Sequence, residues 1–129
     1  MKHFLILAVV CLTATAFHMP EHDRVQATIA ECQKESGSSV DELENVKLGK
    51  INPGTGKQVL CVHRKLGFMD ENGDILAGPY KQHVEIITFD KGRQQELQAC
   101  SKPEGENAEA KAVNFDKCFQ SVLQKMGRD

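Results

Sequence analysis

The sequence carries no large excess of either charge: 16 lysines and arginines stand against 18 aspartates and glutamates, a formal net charge of −2. A protein that grips nucleic acid through its phosphates wants a basic patch or stripe, and none is present. Beyond the N-terminus there is no long apolar run, which excludes insertion of a membrane span. No CxxC pair occurs and the histidines do not gather near paired cysteines, so a zinc site has no ligand set. No Asn-x-Ser/Thr sequon invites N-glycosylation. HExxH, GxSxG and nucleophile–base patterns are missing as well. Gly56-Lys57-Gln58 fails as a phosphate loop, because Ile51 stands where the first glycine belongs and no Ser or Thr follows the lysine. Asp70-x-Asn72-x-Asp74 begins like an EF-hand loop, but its sixth residue is Ile75 and its twelfth Lys81, so it reads as a turn. The many carboxylates lie on polar helix faces. These absences leave no catalytic residue, no metal and no cofactor, and they argue against an enzyme.

What is present is a chain of 129 residues that reads as one small domain behind an export signal. Met1-Lys2-His3, the apolar stretch Phe4 to Thr13 and the small-x-small end Ala14-Thr15-Ala16 make a secretory signal peptide. Cleavage after Ala16 removes Cys11 and leaves residues 17–129 as the mature chain. Four cysteines remain: Cys32, Cys61, Cys100 and Cys118. An even number in a small exported chain means a disulfide framework, and spacing alone leaves all three pairings open.

Apolar periodicity predicts helices throughout. Val25, Ile29 and Cys32 mark the first, over Pro20 to Lys34, with Pro20 in its first turn. Ser39 with Glu42 makes a capping box for a short second helix over Val40 to Lys47. After the Asn52-Pro53-Gly54-Thr55-Gly56 break, Thr55 caps a third along Val59, Val62, Leu66 and Met69. A fourth spans Pro79 to Thr88, although Val84 to Thr88 also suits a strand. A fifth covers Asp90 to Ser101. The last runs along Ala108, Ala112, Phe115, Phe119, Val122 and Met126, with Asn107 as its cap and Gly127 as its stop. The reading is an all-α fold of about six short helices.

The gaps between the mature cysteines are 28, 38 and 17 residues. In combination they match the first, third, fourth and sixth cysteines of insect odorant- and pheromone-binding proteins. The chain therefore resembles the PBP/GOBP family, in its four-cysteine Minus-C form, over essentially the whole mature length. The resemblance implies the pairs Cys32–Cys61 and Cys100–Cys118. It also implies six helices packed around an internal apolar cavity. The two absent cysteines fall at Lys57 and Glu109, whose opposite charges suggest a partly exposed ion pair worth about 0–1 kcal/mol. A disulfide is worth roughly 2–4 kcal/mol, so the contact between the third and last helices is expected to be looser.

The implied function is extracellular carriage of a small hydrophobic molecule: an odorant, pheromone, terpenoid or fatty-acid-like compound in sensillar lymph, haemolymph or gland secretion. Release is by local opening. The candidate lining is Val25, Ile29, Leu43, Val59, Val62, Met69, Leu76, Val84, Ile87, Leu97, Phe115, Phe119 and Val122, about half of which are expected to be plain core. Tyr80, the one tyrosine, and His63 or His83 are candidate polar anchors. Only eleven residues follow Cys118, too few to fold a tail into the cavity. The implied partners are the ligand and a membrane receptor, with the protein a monomer or weak dimer. The alternative is a secreted helical interaction protein that acts through its surface and has no cavity.

Overall fold

A helix starts where a side chain can accept its unpaired backbone N–H groups and stops where the chain can turn left-handed. The computed structural model describes residues 21–127, in which six helices and no strand occur. They are α1 (Glu21–Ser36), α2 (Glu42–Lys47), α3 (Thr55–Lys65), α4 (Ala77–Ile87), α5 (Lys91–Ala99) and α6 (Ala108–Lys125). The signal segment, its cleavage point and Pro20 lie outside the described residues. Asn107 caps α6 as expected, its Oδ1 accepting from the Ala110 N–H at 2.8 Å. Asp90 does the same for α5, accepting from Arg93 N–H at 3.0 Å. Gly37 (φ +70°) ends α1 and Gly49 (φ +75°) ends α2. In both, the next residue's N–H bonds back to a carbonyl of the last turn: Ser38 to Gln33 at 3.0 Å and Lys50 to Asn45 at 2.8 Å. That is the Schellman closure, which needs a left-handed residue.

Two expected starts are corrected. Ser39 does not cap α2 and the helix does not begin at Val40. Asp41 is the cap, accepting from Leu43 and Glu44 N–H at 3.0 and 3.2 Å, and the helix begins at Glu42. Aspartate caps as well as serine, and a distant partner decides between them. Gln58, fully buried on α3, accepts the Glu42 N–H at 2.8 Å and donates to the Val40 carbonyl at 3.0 Å. Thr55 does not cap α3 either. It is the first helical residue, after Gly54. Its hydroxyl accepts from Asn52 N–H at 2.9 Å and donates to the Glu42 carboxylate. The ends of the fourth and fifth helices also shift. α4 begins at Ala77 and stays helical to Ile87, Thr88 alone being extended, and α5 closes at Ala99 with Cys100 as its cap.

α3 lies at the centre, packed against α1, α2 and α6, while α5 joins α4 to α6. The core is an aromatic stack of Phe68, Tyr80, Phe115 and Phe119 surrounded by Val59, Val62, Val84, Leu97 and Val122. Cys32–Cys61 ties α1 to α3, and Cys100–Cys118 ties the end of α5 to α6. This is the pairing that the family resemblance implied. On the outer side Arg24 donates to the Leu66 carbonyl at 2.8 Å, placing a cation at the negative end of α3.

Where the family's third bridge would stand, Lys57 and Glu109 are both exposed, and no ion pair joins them. The two helices meet there through backbone. A Cβ added to Gly56 would lie 2.8 Å from the Glu109 Cβ. The contact of α3 with α6 is the most extensive between any two helices described.

Candidate functional site

The apolar stripes of α1, α2, α3, α4 and α6 do not close completely on one another. Between them lies a partly open groove of about 560 Å³. That is within the usual range for small-molecule sites, roughly 300–1,000 Å³. Its walls are Val25 and Ile29 from α1, Leu43 from α2, Leu66 and Phe68 at and after the end of α3, Ile87 from α4, and Phe119 and Leu123 from α6. Exposed His22, Gln26 and Glu44 stand at its rim, with Asp41, Lys47 and Gln120 half-buried beside them. His63, His83 and Asp116 also line it, and all three are buried.

The polar centre of this wall is one pair. His63 Nε2 lies 2.9 Å from Asp116 Oδ1, with side chains only 4% and 1% exposed. A carboxylate oxygen accepts and does not donate, so the His63 Nε2 carries the proton of this bond. The imidazole is clamped between rings, 5.3 Å from Phe68 and edge-on to Phe115 at 5.1 Å. His83 stacks on Phe68 at 4.8 Å and on Phe119 at 6.0 Å.

Seven of the sixteen residues expected at a ligand line the groove: Val25, Ile29, Leu43, His63, His83, Ile87 and Phe119. The other nine lie elsewhere. Val59, Val62, Tyr80, Leu97 and Phe115 are fully buried packing, and Val122 belongs to the same core. Val84 is buried there too and touches the α4–α5 surface cleft. Met69 borders a charged surface cleft of about 700 Å³ beside Cys61. Leu76 is 40% exposed before α4. The Tyr80 hydroxyl is already engaged, donating to the Leu97 carbonyl, and burial pushes its phenol above the ordinary range. A further buried acid, Glu42, holds the junction of α2 and α3. Burial pushes its carboxyl up, but hydrogen bonds from Thr55, Asn52 and Asn45 outweigh this and keep it below the ordinary value.

Phe68 and Asp116 were not among the expected residues. Phe68 follows Gly67, outside the helical register that singled out Met69. Asp116 did leave a signal in the sequence: it is a carboxylate inside the apolar stripe of Ala112, Phe115 and Phe119. His63 interrupts the Val59–Val62–Leu66 stripe in the same way.

Residues 14–122 match the PBP/GOBP family. The chain belongs to that family. This PBP/GOBP protein is similar to the B1 protein of Tenebrio molitor, 29% identical over 97 residues that cover 73% of this chain and 74% of the relative. The B2 protein of Tenebrio molitor is 27% identical over 117 residues, 88% of this chain and 87% of that one. Among solved structures, the odorant-binding protein dmelOBP28a from Drosophila melanogaster superposes with a TM-score of 0.61 at 16% identity, covering 81% of this chain and 93% of that chain. The fatty acid binding protein OBP56a from the oral disk of the blowfly Phormia regina gives the same score and identity over 84% and 97%. Likeness at this identity establishes the shared all-α fold. Family membership makes the protein a binding protein and not an enzyme. Among the described residues no helix is long and apolar enough to cross a membrane.

Proposed function

We propose that this PBP/GOBP protein is a secreted, four-cysteine Minus-C carrier that holds a small hydrophobic molecule in the groove and releases it by local opening. One observation carries the reading: a groove of about 560 Å³ with apolar walls contributed by five helices of a binding-protein fold. Val25, Ile29, Leu43, Ile87 and Phe119 would supply the apolar contact, and each ligand methylene buried against them adds about 0.8 kcal/mol. His63 would supply a polar contact. The two structural neighbours, an odorant-binding protein and a fatty acid binding protein, support the same ligand class. The signal-like N-terminus and the disulfides support an extracellular location.

The test is displacement of a fluorescent apolar probe by medium-chain or terpenoid compounds. One probe per chain, competed off by ligand and weakened by Phe119→Ala, is the expected result. Absence of displaceable binding in folded, disulfide-bonded protein would overturn the carrier reading in favour of a protein acting through its surface.

A further inference from the structure

Resting on the carrier reading, the groove also specifies which end group its ligand bears. The His63–Asp116 pair uses one atom of each side chain in its 2.9 Å bond. The second polar atom of each, His63 Nδ1 and Asp116 Oδ2, is buried and has no hydrogen-bond partner. Buried polar atoms in native structures are nearly always paired, so two orphans on neighbouring side chains ask for a partner from outside the fold. Both side chains belong to the groove wall, among Ile29, Leu43, Phe68 and Phe119. A group bound in the groove is therefore the partner within reach.

The chemistry of the orphans limits that partner. Asp116 Oδ2 is an acceptor. His63 Nδ1 accepts on a neutral imidazole and donates on an imidazolium. In either form Asp116 Oδ2 is paired only by a donor on the ligand. An aldehyde, ketone or ester has only acceptors and leaves Asp116 Oδ2 unpaired. A carboxylate has only acceptors too, and it would bring a second negative charge against Asp116 in an apolar wall, where like charges repel strongly. An ammonium would donate, but it must shed its hydration among the apolar side chains. A hydroxyl donates one hydrogen bond, carries no charge and suits a wall of hydrocarbon and aromatic rings. We propose that the His63–Asp116 pair is a hydroxyl-recognition site, and that the groove selects apolar alcohols over carbonyl compounds and fatty acids of the same chain length.

The test is competition of 1-decanol, decanal, decanoate and decylammonium against one fluorescent probe at neutral pH, on the full disulfide-bonded mature chain. Decanol is expected to bind about tenfold tighter than decanal, the size of one net buried hydrogen bond, with decanoate weaker still. In Asp116→Asn one acceptor becomes a donor, so the decanol preference over decanal, both read against the same probe on the folded variant, should shrink to about threefold or less. The ligand order in the unmodified protein stands as a test even if Asp116→Asn fails to fold. Equal or tighter binding of decanal, decanoate or decylammonium, with the probe still displaced, overturns the hydroxyl assignment and leaves the carrier reading intact. Failure of all four to displace the probe overturns both. An unchanged decanol preference in folded Asp116→Asn overturns the role given to Asp116.

Discussion

Tyr80 separates a side chain that builds the fold from one that greets a ligand. Its ring is fully buried against Phe68, Phe115 and Phe119, with centroids 5.7, 5.4 and 6.5 Å away. Its hydroxyl donates to the Leu97 carbonyl, linking α4 to α5. Tyr80→Phe removes that bond and little else. The cost is limited because the Leu97 oxygen also accepts from the Cys100 N–H at 3.1 Å, so no buried acceptor is orphaned. The loss is then one ordinary net hydrogen bond, about 0.5–1.5 kcal/mol. At about 4 °C per kcal/mol for a domain of this size, Tm should fall by roughly 2–6 °C. Probe affinity should stay within about twofold, since Tyr80 does not line the groove. Thermal unfolding by circular dichroism and a probe titration, run on one preparation, read both quantities. A tenfold loss of affinity with unchanged Tm would refute the assignment and return Tyr80 to the role of ligand anchor.

Two further perturbations address the joints of the frame. Gly56→Ala places a methyl 2.8 Å from the Glu109 Cβ and 3.3 Å from its carbonyl oxygen, so α3 and α6 must separate. Overpacking of this kind costs about 1–3 kcal/mol, readable as a lowered urea midpoint at unchanged slope, and an unaltered midpoint would contradict the close approach. Glu42 gives an acid dependence with a definite sign. Its folded carboxyl titrates below its ordinary 4.5, so its contribution is fully present above that value and is lost as the pH falls through the lower, folded one. Urea midpoints in the mature protein should therefore drop below about pH 4.5, and Glu42→Gln should flatten that acid limb while costing about 1.5–3 kcal/mol at pH 7. Parallel acid limbs in the two proteins would show that Glu42 is not the group responsible.

Local signals wrote most of the frame. The alternation of apolar residues placed α6 to within a residue, because Asn107 and Gly127 punctuate it and nothing nearby competes. The cysteine spacing left three pairings open, and only the family resemblance pointed to the right one. Errors came where a side chain answers to a distant partner. Ser39 and Asp41 are comparable caps on local grounds, and the choice falls to Gln58 on another helix. Thr55 turns from capping its own helix to binding Glu42, thirteen residues away. The groove was half legible for a related reason. Periodicity says which side of a helix faces inward, yet Val62 and Ile29 are equally inward and only one of them meets open space. That difference depends on how the helices tilt against one another, which no stripe records. Asp116 was visible as an anomaly in its stripe, but its meaning required His63, 53 residues earlier in the chain.

The two sulfur links divide the domain into anchored and hung pieces. α1 is fastened to α3, and the end of α5 to α6, while α2 and α4 carry no cysteine. Both hung helices face the groove, through Leu43 on one side and His83 and Ile87 on the other. In the carrier proposed above, opening would fall to α2 or α4, which are held without a sulfur link, α2 by the hydrogen bonds of Glu42 to Thr55 and Gln58, while the two cysteine-linked helix pairs keep their shape.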